Sequence, residues 1–199
     1  MKGVKTGFGV QTFSNSSKFE RYEGFFKYDS FDGNGILLWR DGQRYEGLLK
    51  NNKQHGFGKL TFSNENSFES YKGDFFEDKF HGNGTLKYKN GELYRGTFQD
   101  SHKSGFGTQT WPDNSTFVKY EGSFLFDLFE GEGVLITTNG ETYSGYFKYL
   151  FSCFLIILSL LRMFQEYNSL NYLVNPFRTS LQTFQIHFLL RRSEYRIQI

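Results

Sequence analysis

The sequence predicts an all-β repeat array: successive antiparallel β-hairpins joined side by side in one elongated, twisted, single-layer sheet, followed by a helical or disordered C-terminal tail. Three observations carry this expectation. Tyr-x-Gly recurs at Tyr22/Gly24, Tyr45/Gly47, Tyr71/Gly73, Tyr94/Gly96, Tyr120/Gly122 and Tyr143/Gly145. Nine residues after each of the first five of those glycines comes Gly-x-Gly, at Gly33/Gly35, Gly56/Gly58, Gly82/Gly84, Gly105/Gly107 and Gly131/Gly133, with an orphan pair at Gly7 and Gly9. Turn-forming residues separate each Gly-x-Gly from the next Tyr-x-Gly. A period of this size marks an array in which each unit buries its apolar face only by stacking on its neighbours.

Each unit reads as two strands. In the first, alternation puts Tyr, Gly and the residue two further on one face, and that third position reads Phe26, Leu49, Phe75, Phe98, Phe124 and Phe147. The opposite face is mostly charged or hydroxylic, as a half-buried strand requires. In the second strand the two glycines share a face with Leu37 and Trp39, Leu60 and Phe62, or Leu86 and Tyr88. One face is therefore aromatic plus glycine, and a strand glycine lets a ring lie flat on bare backbone.

The connections alternate. Tyr-to-Tyr steps run 23, 26, 23, 26 and 23 residues, so the true period is a 49-residue double unit. Short connections carry Asp41-Gly42, Asn90-Gly91 and Asn139-Gly140, which predict two-residue type I′ turns. Long ones carry Ser14-Asn15-Ser16-Ser17, Ser63-Asn64-Glu65-Asn66 and Pro112-Asp113-Asn114-Ser115. Gly-Phe-Gly at Gly7, Gly56 and Gly105 keeps the 49-residue step. The long loops should recur along one rim every ~19 Å, four strand spacings apart. A tolerated insertion in a duplicated unit explains that row as simply as recognition by a periodic partner.

Composition narrows the function classes. A formal net charge of +2 over 199 residues lacks the strongly basic stripe of a nucleic-acid binder. The single cysteine, Cys153, leaves no intramolecular disulfide and fits a reducing, cytoplasmic setting. Met1 to Thr6 has no apolar run behind its charges, so no secretory signal is expected. The Gly-x-Gly pairs lack the third glycine, following helix and acidic residue of a dinucleotide site. His55, His81, His102 and His187 show no metal-ligand spacing. No nucleophile, base or acid–base pair can be nominated, so neither catalysis nor a cofactor is expected. The repeat tyrosines and glycines read as structural. Phe31, Phe80 and Phe129, in the nine-residue segments of alternate units, stand where the other units have Gln54 and Lys103. They are the candidates for exposed partner contacts.

Tyr-x-Gly, Gly-x-Gly nine residues on, then a turn and Tyr-x-Gly again resembles the MORN (membrane occupation and recognition nexus) repeat over residues 7 to about 148. The resemblance implies a single-layer hairpin array. It further implies a non-catalytic protein-interaction scaffold in a ciliary or cytoskeletal assembly, or an adaptor at anionic, phosphoinositide-bearing membranes. It is also compatible with an accessory segment of a larger enzyme such as a phosphatidylinositol-phosphate kinase. Open sheet edges make self-association possible.

The composition breaks near residue 148. All 22 glycines lie at or before Gly145, and the repeat stops in mid-hairpin. Residues 1–148 form the expected array and 149–199 a separate tail. Its apolar stretch from Tyr149 to Leu161 is shorter than the ~20 residues that span a bilayer. A helix covering the last strand, an interfacial membrane contact assisted by Arg178, Arg191, Arg192 and Arg196, and a departure from the native reading frame all remain open.

Overall fold

A computed structural model describes residues 3–150. They form twelve strands: β1 (Gly7–Thr12), β2 (Phe19–Lys27), β3 (Ser30–Trp39), β4 (Arg44–Lys50), β5 (Lys53–Thr61), β6 (Phe68–Phe76), β7 (Lys79–Tyr88), β8 (Leu93–Gln99), β9 (His102–Thr110), β10 (Phe117–Leu125), β11 (Leu128–Thr137) and β12 (Thr142–Leu150). They lie in chain order in one open antiparallel sheet, each bonded only to its sequence neighbours. The last strand runs two residues past the expected boundary at 148. Readings of the tail beyond Leu150 lie outside the described residues.

The register explains the repeat. One glycine from each strand lines up with one from the next: Gly9, Gly24, Gly35, Gly47, Gly58, Gly73, Gly84, Gly96, Gly107, Gly122, Gly133 and Gly145. Across this bare track lie the rings of Tyr22, Tyr45, Tyr71, Tyr94 and Tyr120, all fully buried. Each hydroxyl donates to the carbonyl three residues on, as from Tyr22 to Phe25 and from Tyr45 to Leu48, both at 2.7 Å. A buried phenol therefore keeps its polar end satisfied without a second layer of protein. The residue two after the motif glycine is phenylalanine in every unit but that of Leu49, and these phenylalanines set their edges against the tyrosine rings, with Phe75 5.1 Å from Tyr45 and Phe124 4.9 Å from Tyr94.

The two glycines of Gly-x-Gly differ in role. The second carries the tyrosine ring. The first sits at a β-bulge: between the pairs Gly24/Gly35 and Phe26/Phe31, three residues of β3 stand against one of β2. Gly33 there has φ +120°, a backbone state that glycine adopts without strain.

The turns correct the sequence reading. Asp41-Gly42 is not a two-residue type I′ turn. Gly42 N–H donates to Trp39 O, Trp39 N–H donates to Gln43 O, and only Gly42 of the loop has positive φ. That is a type I turn with a glycine bulge, and Asn90-Gly91 and Asn139-Gly140 repeat it. The type I′ turns lie on the other rim, at Tyr28-Asp29, Asn51-Asn52, Glu77-Asp78, Asp100-Ser101 and Phe126-Asp127, where both residues have positive φ without a glycine. Left-handed backbone costs such residues roughly 1–2 kcal/mol each. Hydrogen bonds to the preceding unit offset it. Asp78 N–H donates to Gln54 O at 3.1 Å, and Asp78 Oδ1 accepts from Gln54 N–H at 2.8 Å. Asp29, Asn52, Ser101 and Asp127 hold Lys5, Phe31, Phe80 and Lys103 in the same two-bonded way.

The long loops are braced as well. Arg40, in the neighbouring short loop, donates to the carbonyls of Phe13, Ser14 and Ser17, and Lys89 donates to those of Ser63 and Asn64.

Candidate interaction surface

Phe31, Phe80 and Phe129 are not exposed contacts. They are 6%, 8% and 3% exposed and lie face to face on Tyr22, Tyr71 and Tyr120 at 3.9, 3.8 and 3.8 Å. The reason is local. Only two of the residues between Tyr-x-Gly and Gly-x-Gly form the turn, so these phenylalanines are already in β3, β7 and β11, on the tyrosine face. Of the other repeat residues, the tyrosines of the first five Tyr-x-Gly pairs are buried on one face as the periodicity places them, the first glycine of each Gly-x-Gly from Gly33 to Gly131 sits at the bulge instead, and Tyr143, in the last strand, is 38% exposed.

The equivalent position in β9 holds a cation inside the aromatic layer. Lys103 Nζ donates to Gln109 Oε1 at 2.6 Å, and Gln109 Nε2 donates to Glu92 Oε2 at 3.2 Å. The rings of Tyr88 and Tyr94 lie 5.2 and 5.1 Å from the ammonium, a cation–π setting. Burial pulls the Lys103 pKa down to about 8, with Asp127 and Glu92 opposing the shift. Burial pushes Tyr22 and Tyr120 up to about 12, assisted by Asp32 and Glu130 respectively.

The signs give a testable profile. Between about pH 8 and 10 unfolded lysine holds a proton that folded Lys103 has released, so stability rises with pH. Above about 10, unfolded tyrosines ionise while the buried ones stay neutral, so stability falls. The Lys103 contribution is on the order of 3 kcal/mol across its window. Lys103→Gln with Gln109→Leu, which copies the Gln54/Leu60 arrangement of β5, should flatten the rise and leave the decline. Urea unfolding from pH 7 to 11 measures both.

The surface left for partners is the opposite face. Phe8, Phe57 and Phe106, the central residues of Gly-Phe-Gly, point away from the tyrosines and are 63%, 60% and 61% exposed. They occupy β1, β5 and β9, so they recur every fourth strand, ~19 Å apart. Phe25 meets Phe8 edge to face at 5.6 Å, and Lys72 stands 5.9 Å above Phe57. The 49-residue recurrence of Gly-Phe-Gly was the signal for this row, but sequence reasoning treated it as a marker of period. Charges around the row are mostly paired along strands or across them, as in Arg21–Glu23, Arg44–Glu46, Lys119–Glu121 and Lys53–Glu77. Lys59 and Lys72 stand directly opposite one another on neighbouring strands, with Glu46 opposite Lys59 on its other side.

His102 Nδ1 lies 2.6 Å from Asp127 Oδ2, and His55 and His81 flank Phe76. Among the described residues no three His, Cys, Asp or Glu side chains gather into a metal site, and no helix is long and apolar enough to cross a membrane.

Comparison with known proteins agrees with this geometry. No curated protein matches the chain. The profile of the MORN repeat matches it at residues 1–18, 22–44, 45–67, 71–92, 94–116 and 120–142, the last five matches each taking in two consecutive strands and the first taking in β1 and the loop after it. Such repeats form modules for protein or membrane contact, and an open sheet with one closed aromatic face and one presented face fits that use. With well over half of its length matched, the chain belongs to the MORN repeat family.

Proposed function

We propose that the chain is a non-catalytic scaffold of the cytoplasm that holds a partner protein on its presented face, within a ciliary or other cytoskeletal assembly. The observation that carries this reading is the row Phe8, Phe57 and Phe106, rings exposed at constant spacing on a face that also shows Val10, Phe25 and Tyr146 to solvent. Exposed rings in register offer a partner anchors of the kind that dominate binding energy. The twelve-stranded sheet fixes their separation, so recognition reads a repeated distance as well as a local contact.

The test separates surface from core. Phe57→Thr with Phe106→Thr should change folding stability by less than about 0.5 kcal/mol, because both rings are solvated and threonine suits a strand. The same pair should lower recovery of the tagged chain in the detergent-resistant cytoskeletal fraction at least ~10-fold. Unchanged recovery with an intact fold would overturn the proposal.

One observation favours a second reading. Lys59 and Lys72 stand opposite one another, with Glu46, itself paired to Arg44, on the other side of Lys59, so two cations share one carboxylate that already has a partner. Beside the exposed Phe57 this makes a small aromatic-basic patch suited to an anionic lipid surface. Under this reading Lys59→Glu with Lys72→Glu abolishes flotation with phosphoinositide vesicles, and binding to wild type falls as salt rises.

A further inference from the structure

We infer that the partner held on the presented face is a second copy of this chain, packed face to face about a two-fold axis that runs along β5. The inference rests on the reading that this face is the interaction surface, and it names what occupies it. The spacing of the rings, the order of the charges and the area of the face carry it.

The ring row reads the same in both directions. Phe8, Phe57 and Phe106 lie on β1, β5 and β9, so the outer two stand four strands to either side of Phe57. A two-fold axis over β5 therefore sets Phe57 on its own copy and Phe8 on Phe106 of the second copy. All three rings, each about 60% exposed, are then covered at once.

Beside the rings the register gives a second row, two residues further along β5, in which the charges are sorted. Val10, Glu23, Ile36 and Glu46 lead from β1 to β4 up to Lys59 in β5. Lys72, Thr85, Arg95 and Thr108 follow it over β6 to β9. Acids occupy one half and cations the other, an order that a two-fold axis makes complementary. The axis that stacks the rings brings Glu23 to Arg95 of the second copy and Glu46 to Lys72, and each pair forms twice. Ile36 meets Thr85 and Val10 meets Thr108, so no charge is set against an apolar side chain in this row.

The cations lack acids of their own within the row. Arg95 has Thr85 and Thr108 beside it in the sheet, and Lys72 has Lys59 and Thr85. Arg21 and Arg44 engage Glu23 and Glu46 through Oε2, which leaves Oε1 for a second cation. Those pairs within a strand are solvent-exposed, and such pairs contribute little that a new contact would have to match. Lys59 lies on the axis and meets its own copy, each with Glu46 beside it. Nine strands and about five residues of each make a face of ~40 by ~17 Å, so two copies bury about 1,400 Å², the size of a standard stable interface. The contact is isologous and closes at two copies.

The test uses the full chain with Cys153→Ser throughout, carrying either Asn34→Cys or Asn83→Cys. Asn34 and Asn83 are exposed on β3 and β7, two strands to either side of β5. The axis sets Asn34 against Asn83 of the second copy, ~10 Å away across the stacked sheets. A bismaleimide of that reach should link the mixed variants, and each variant alone at least ~10-fold less, because like positions then lie ~19 Å apart across the strands. Sedimentation of wild type should show a monomer–dimer equilibrium that shifts toward monomer as salt rises. Glu23→Arg or Arg95→Glu alone should weaken dimerisation at least ~10-fold, with circular dichroism unchanged, and the double variant should restore it. A wild-type chain that stays monomeric up to ~100 µM overturns the inference. Linkage of Asn34→Cys alone equal to that of the mixture overturns it too, as does a double charge variant no better than the single ones. The reading it rests on fails separately. That reading stands if a monomeric wild type still loses cytoskeletal recovery on Phe57→Thr with Phe106→Thr, and it falls if recovery is unchanged.

Discussion

Alanine in place of Gly58 is expected to lower stability by about 4 kcal/mol and to split unfolding into two transitions. The added methyl would stand 2.5 Å from Tyr45 Oη and 2.7 Å from two carbons of its ring. The ring cannot retreat, because Tyr45 is fully buried and its hydroxyl is committed to Leu48 O at 2.7 Å. Overpacking usually costs 1–3 kcal/mol, and here a buried hydrogen bond is lost with it. In a structure held by nearest-neighbour contacts, the flanking blocks then melt separately. Gly42→Ala is the control. Its φ is +89° but nothing lies within 4 Å of the new methyl, so only the backbone cost of about 1–2 kcal/mol applies. Urea titration followed by circular dichroism distinguishes the two.

Phe80→Ala should cost about 3–5 kcal/mol, the range for a buried ring. Phe80 is stacked on Tyr71 at 3.8 Å and 11°, with the edges of Phe75 and Phe98 at 5.6 and 5.9 Å. An exposed contact residue would lose less than about 0.5 kcal/mol, and Phe57→Ala, on the opposite face, should behave that way. The pair of variants, compared by the same unfolding titration, tests which phenylalanines are core and which face outward. A small effect at Phe80 would mean that its ring is not held in the layer described here.

These two sites show what the sequence disclosed and what it hid. Parity alone placed Tyr45, Leu60 and Phe75 on one face, because alternation in a strand is a purely local property. The same counting along Gly-x-Gly suggested one role for both glycines. Gly33 and Gly35 separate only once the bulge is known, and a bulge depends on how many residues of β2 oppose those of β3. The type I′ turns escaped notice for a related reason. Glu77-Asp78 contains no glycine, and its left-handed backbone is sustained by Gln54, twenty-four residues away. Phe80 lies in a nine-residue segment whose spacing does not show that only two of its residues turn, so its place in the aromatic layer is hidden in the sequence. Phe57 was visible as part of a recurring Gly-Phe-Gly, but its side of the sheet follows from the tyrosine packing against the glycine track.

The meander also determines how the sheet responds to tension. Among the described residues every strand is bonded only to its sequence neighbours, so a pull applied across the sheet from its two edge strands opens the outermost hairpin first and loads its hydrogen bonds one after another. Nothing shears as a block. Each 49-residue cell occupies ~19 Å across the strands when folded and releases roughly 160 Å of extended chain when it opens. A filament strung between two anchors by this sheet would therefore lengthen in steps, hairpin by hairpin, and act as a compliant tether rather than a stiff strut.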